Sequence, residues 1–143
     1  MCLRVNRKFI NRKKALEYKN NPPVADTDIV VYKILRKIHN IDTNRVSYVS
    51  PHRGEPYVPG RLKKVKSFSF TFKDSHTINN NMYKRILVNR GLHAFTTLRE
   101  ANDHLTHHSE VIVKCIIPEG TPYFTDNESN EIVTLKLSMP NKF

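Results

Sequence analysis

"EVIVKCII" occupies residues 110–117. Six of its eight residues are apolar, and it runs from Ser109 to Pro118. A run this short, this rich in β-branched residues and this nearly continuous reads as a strand at the centre of a sheet. A central strand needs neighbours, and the sequence offers several. "DIVVYKILRKI", 28–38, is rich in Val and Ile and reads as a second strand. "RVSYVS", 45–50, and "EIVTLKLSM", 131–139, alternate along their length. "KSFSFTFKD", 66–74, sets Phe68, Phe70 and Phe72 against Ser67, Ser69, Thr71 and Lys73. That is the period-two pattern of a half-buried strand. A short strand follows Gly91, from Leu92 to Phe95.

Helical signals are fewer. Thr97, with Glu100 three residues on, forms a capping box. Leu98, Ala101 and Leu105 then mark the buried stripe of a helix reaching about His107. Residues 1–21 have the composition of a short basic helix. Residues 76–91 are ambiguous, with Asn79 to Asn81 favouring a turn. The chain therefore reads as α+β: a single domain with a twisted, mostly antiparallel sheet of about six strands and two short helices. "NNPPVADTD" breaks the chain early, because Pro22-Pro23 forces an extended connector. Residues 1–23 are read as a basic N-terminal arm or helix, and 24–143 as the α+β domain.

Charge is the strongest bulk signal. The 143 residues carry 24 Lys and Arg against 13 Asp and Glu, a formal +11. Within residues 1–21, seven cations face Glu17 alone, and "RLKKVK", 61–66, forms a second cluster. Such a field concentrates anions: nucleotides, nucleic acid, acidic proteins. Two cysteines make no disulfide framework. Cys115, inside the apolar run, reads as a buried thiol in a reducing compartment. No uninterrupted apolar stretch reaches ten residues, which argues against a membrane span or secretory leader. A cytoplasmic protein, or one in the host cytoplasm if phage-encoded, is the expectation.

The most distinctive loop is "YVSPHRGEPYVPG", 48–60, with three prolines and two of the four glycines. Arg53 offers a planar fork for phosphate or carboxylate, and His52 a further donor. Tyr48 and Tyr57 offer faces on which a base can stack. The prolines reduce the ordering cost of binding. A second cluster is "RGLHAFTT": Arg90, His93, Phe95, Thr96 and Thr97. With Leu92 facing the core, His93 faces the other side, near the N-terminus of the helix that Thr97 caps. Glu100, His104 and His108 recur every four residues, but without a HExxH motif or a Cys pair they do not make a metal site. Motifs for Walker A, GxGxxG, GxSxG and zinc deaminases are all absent.

The order "VVYKIL", "SPHRGEPYVPG", "GLHAFTTLREA", "VIVKCIIPEGTPYF", "NEIVTLKL" resembles small phage-encoded domains of uncharacterised function. More distantly it resembles the ADP-ribosyltransferase-like fold. That resemblance implies an NAD ribose contact from Tyr32 and Lys33, a nicotinamide pocket from Phe95, Thr96 and Thr97, and a catalytic carboxylate at Glu131, with Glu128 before it. Lys33 stands where that family usually has Arg or His. Glu128 and Glu131 are three apart rather than two. These departures favour capture of a ligand over turnover. The expected function is that of a small basic accessory protein. It binds a phosphate-bearing ligand, nucleotide or nucleic acid, between the 48–60 loop and the His93 strand, and one use of such a cleft is to counter a host defence. No cofactor is needed on this reading. The alternatives are a mono-ADP-ribosyltransferase using NAD with Glu131, and an interaction protein docking on an acidic host partner.

Overall fold

The computed structural model describes residues 7–9, 12–74, 84–126 and 130–143. Glu128, the Asn79–Asn81 turn and the first six residues lie outside them, as does the side chain of Phe72. Among the described residues there are twelve short strands and two helices: β1 Arg7–Phe9, α1 Arg12–Asn20, β2 Ile29–Asn40, β3 Arg45–Val49, β4 Pro56–Tyr57, β5 Leu62–Lys64, β6 Ser69–Asp74, β7 Lys84–Arg90, β8 Leu92–Phe95, α2 Leu98–Asp103, β9 Glu110–Ile117, β10 Tyr123–Thr125, β11 Glu131–Thr134 and β12 Lys136–Ser138. The class is α+β, and every strand pair is antiparallel. The strand count corrects the expected six: long apolar stretches are cut into pieces that pair with different neighbours.

The two strands read first form the centre. β2 and β9 pair over eight residues, from Ile29↔Ile117 to Arg36↔Glu110. On its other edge β2 meets two different partners. Tyr32 pairs with Phe95 of β8, while Arg36 to Asn40 pair with β3. Between them, Lys33 to Leu35 carry no ladder partner on that edge.

The C-terminal stretch is bent at Leu135. Its first half, β11, pairs with β8, and its second half, β12, pairs with β9. Since β8 and β9 flank β2 on opposite sides, the sheet is rolled on itself. Inside the roll, Val31, Leu35, Leu92, Ala94, Val113, Cys115, Ile117, Ile132 and Leu137 form one core. On the outside, α2 covers Ile34 and Phe95 through Ala101. A separate sheet, in the order β1-β7-β6, is joined to β8 through Gly91. Its Val88, with Phe68 and Phe70, packs on Phe124 and Val133. The described part of residues 1–23 lies on the body: β1 pairs with β7, and Tyr18 of α1 sits 5.2 Å from Phe124, ring to ring.

α2 is shorter than its stripe suggested. Thr97 caps it, accepting from the Glu100 N–H at 3.2 Å. It stops at Asp103, because the His104 N–H bonds back to Glu100 and Ala101 and closes a final turn. Leu105 is 38% exposed rather than part of a buried stripe, and His108 does not continue the helix.

Gly91 marks the tightest crossing between the sheets. A Cβ there would lie 2.3 Å from Val133 Cγ1 and 3.2 Å from Phe68. Gly91→Ala is expected to destabilise the fold by about 1–3 kcal/mol through overpacking. A Val133→Ala background removes the closest contact, though not the Phe68 ring or the positive φ of 157°, so the double variant should lose less than the sum of the two singles. Urea denaturation of the four proteins measures this.

Candidate functional site

The gap in the β2 edge opens into a cleft of about 190 Å³. Its floor is Lys33 and Ile34 of β2 with His93 and Phe95 of β8. One wall is the loop between β3 and β4, from Ser50 to Glu55, with Tyr57 behind it. The opposite wall carries His104 and Thr106 from the α2–β9 loop and Glu110 from the start of β9.

The proline-rich loop is a closed hairpin turn. Tyr48 pairs with Tyr57 and Val49 with Pro56. The Ser50 N–H donates to the Glu55 carbonyl at 2.9 Å, Gly54 N–H to the Ser50 carbonyl at 3.0 Å, and Glu55 N–H to Ser50 Oγ at 3.0 Å. Gly54 sits at φ 66°, a left-handed geometry that glycine adopts without strain. Arg53 extends from this turn and donates to the Asn89 carbonyl of β7. The hairpin is thereby tied across the cleft to the smaller sheet.

Lys33 is the unusual residue. Strand alternation sends its side chain inward beside Val31 and Leu35, and it is only 7% exposed. Its Nζ donates to the His93 carbonyl at 2.7 Å and lies 5.4 Å from the centre of the Tyr57 ring. Among the described residues it has no carboxylate within ion-pair distance. Burial lowers its pKa to about 8; Arg53 and Lys63 add to the lowering, while Cys115 and Glu55 oppose it.

His93 is its counterpart. Burial, then the charges of Lys33 and Arg53, push its pKa down to about 3, and only the Asn89 backbone pulls upward. The imidazole is neutral, with one donor and one acceptor nitrogen. Both nitrogens are shielded from solvent, and apart from a contact with the Asn89 backbone that falls short of good hydrogen-bond geometry, neither has a partner. Such orphaned groups cost about 1–3 kcal/mol each until something pairs with them.

The remaining residues divide between the cleft and its surroundings. Six sequence candidates line the cleft: Lys33, His52, Arg53, Tyr57, His93 and Phe95. Tyr57 does so from within the core, 4% exposed and flanked by Lys33 and Lys63. It is a wall rather than a free stacking face. Tyr48 is turned away, edge-on to Phe143 at 4.8 Å. Tyr32 packs beside Ile34 and Phe95 under α2. Thr97 is used as a cap, Thr96 bonds the Asn130 carbonyl, and Arg90 is exposed outside the cleft.

Glu131 starts β11 directly opposite Phe95 and does not line the cleft. Burial raises its pKa, His104 opposes that, and Asp126 and Glu100 add to the rise. Sequence reasoning missed Glu55, His104, Thr106 and Glu110 as lining residues. His104 stacks on Phe95 with ring centres 4.6 Å apart and gives the cleft an aromatic rim. Burial raises the Glu110 pKa, but hydrogen bonds from Thr106 and His107 and the charge of Arg36 outweigh it and hold the carboxylate low. Among the described residues no cluster is placed to hold a metal ion, and no helix is long and apolar enough to cross a membrane. Compared with protein-family models, curated proteins and solved structures, the chain matches none.

Lys33 has a measurable stability signature. Its folded pKa, about 8, lies below the model-compound 10.5, so between those values the unfolded chain binds more protons. Its contribution therefore makes stability rise with pH from about 8 to 10.5. Lys33→Met, which fills the same space without charge, should be about 1–3 kcal/mol more stable than the parent at pH 7 and lose that advantage by pH 10.5. Equal stability of the two proteins across this range would mean the ammonium is solvated in the fold.

Proposed function

We propose that the protein binds a phosphate-bearing ligand, in its simplest form a nucleotide, in the cleft between the β3–β4 turn and β8. One observation carries the reading: a buried ammonium, with no carboxylate at ion-pair distance among the described residues and only Glu55 acting on it from further off, lies beside a buried imidazole whose nitrogens make no well-formed hydrogen bond. A buried charge is stable only when paired, and a phosphate supplies that pair. Arg53 sits at the mouth with its guanidinium already oriented. Phe95 and His104 provide apolar ring surface at the rim. About 190 Å³ is below the range of about 300–1,000 Å³ usual for sites that enclose a whole drug-sized ligand. The cleft therefore suits one phosphate with its sugar, or one base, with the rest of the ligand outside. The +11 charge of the chain raises the local concentration of such anions.

The test is calorimetry and thermal shift against mononucleotides, cyclic nucleotides, NAD and short oligonucleotides. A true ligand at 100 times its Kd should stabilise the fold by about 2.7 kcal/mol. Arg53→Ala and Lys33→Met should each weaken binding by about 1–3 kcal/mol. Affinity should also fall as pH rises above about 8, where Lys33 of the free protein loses its proton, and Lys33→Met should abolish that dependence. Binding that ignores both substitutions would place the ligand elsewhere.

A second reading, the ADP-ribosyltransferase-like one, is supported by a different observation. Tyr32, Phe95 and Glu131 lie in register across the adjacent strands β2, β8 and β11. A carboxylate at the end of that row is suited to stabilise the cationic ribose that forms as nicotinamide leaves NAD. On this reading the protein releases nicotinamide from NAD, and Glu131→Gln slows release by orders of magnitude while NAD still binds. An inactive parent protein with intact NAD binding would leave ligand capture as the function.

A further inference from the structure

Among the described residues β5 is the last strand of the larger sheet, and its ladder to β12 fixes which backbone groups it leaves open. The Met139 N–H donates to the Arg61 carbonyl at 3.1 Å, and Val65 N–H to the Leu135 carbonyl at 3.0 Å. Hydrogen-bonded pairs in an antiparallel ladder recur every second residue. The Arg61 carbonyl, Lys63 and the Val65 N–H therefore face the C-terminal stretch, the Arg61 N–H being turned back to the Val58 carbonyl at 3.2 Å, while the N–H and C=O of Leu62 and Lys64 point away from the sheet.

The side chains on this edge follow two rows across the outer face of the roll. In the first, Leu62 is opposite Ser138, Ser138 opposite Ile116, and Ile116 opposite Val30. Leu62, Ile116 and Val30 are 43%, 38% and 41% exposed, so an apolar stripe, interrupted on β12 by Ser138, reaches the open edge. In the second row Lys64 faces Lys136. Theirs is the non-hydrogen-bonded kind of pair, in which side chains approach most closely and like charges destabilise. No acidic residue occurs between Glu55 and Asp74, so the segment brings no counter-charge of its own.

Lysines on an edge strand often serve only to discourage pairing. That role does not account for an exposed leucine that extends an apolar stripe, nor for a repulsive pair one step away. We propose that the open edge of β5 accepts an extended segment of an acidic partner protein as an additional strand. The segment pairs with the backbone of Leu62 and Lys64. It places an apolar side chain beside Leu62 and, two residues along, a carboxylate beside Lys64, on the side away from Lys136. The first contact continues the stripe, and the second relieves the repulsion. Main-chain pairing provides the affinity and the two side chains the selectivity.

A fluorescent octapeptide with Val and Glu two residues apart in a Thr background is the probe, with a Lys-for-Glu peptide and a dT12 oligonucleotide beside it. Anisotropy should rise with the Glu peptide and not with the Lys peptide. Leu62→Pro removes an outward N–H without touching the ladder to β12, and should weaken binding at least tenfold. Lys64→Glu should invert the peptide preference. Should Leu62→Pro fail to fold, amide exchange in the parent protein gives the same information: the Leu62 and Lys64 amides must slow on adding the Glu peptide. The proposal is overturned if neither amide is protected. It is also overturned if a folded Leu62→Pro binds the Glu peptide as the parent does, or if the oligonucleotide binds through Lys64 and displaces the peptide.

Discussion

The pairing of β2 with β9 is the constraint on which the remaining structure is built. Eight consecutive residues of each strand are matched, and both strands place β-branched residues on the inner face. With one edge of β2 so completely occupied, its other edge must serve β8, then β3, and the two diverge. The cleft is the geometric result. A strand of twelve residues is too long for a single short neighbour such as β8, and where the neighbours change the sheet opens. The ligand site proposed at that opening needs no special loop architecture. It needs only that Lys33, at the gap, be something other than another valine.

What fills the gap is costly. A buried ammonium without an ion-paired carboxylate and a neutral imidazole without a well-formed hydrogen bond both reduce the stability of the protein, and a small domain has little to spare. The fold compensates around them. Inside the roll the core is continuous, the hairpin turn has three internal hydrogen bonds, and Arg53 anchors the turn to β7. Local instability on rigid surroundings is the pattern expected where binding, rather than folding, determines the residue.

Much of this was legible in the sequence, for reasons that can be traced. β9 and β2 showed as dense apolar runs, β8 as a short strand between Gly91 and Thr97, and the Thr97 cap as a spacing. Composition marked the 48–60 segment as a turn carrying cations. Other features depend on partners that a local pattern does not contain. The bend at Leu135 divides an apparently uniform alternation, because the two halves pair with β8 and β9. The smaller sheet was hidden because 84–90 reads ambiguously until it pairs with 69–74. α2 stops early because His104 closes the turn and then stacks on Phe95. In the cleft, Lys33 came to notice through a family resemblance, whereas its burial with no carboxylate at ion-pair distance among the described residues gives an independent reason to single it out. Glu55, His104 and Glu110 come from three separate segments, so only the fold shows that they meet. Tyr48 and Tyr57, alike in the sequence, separate because pairing sends one ring to Phe143 and the other into the core.

Cys115 lies at the middle of the same central ladder, fully buried, its Sγ near the Val113 carbonyl and 3.8 Å from the Met139 sulfur. Burial pushes the thiol up to about 12 against the opposing influence of Lys33, and the thiolate is the reactive form. A thiol reagent can therefore reach it only when the core around the central ladder opens. The protein thus carries its own clock: the rate at which Cys115 becomes labelled measures how often the centre of the sheet opens, and a ligand seated on the neighbouring Lys33 would slow the count.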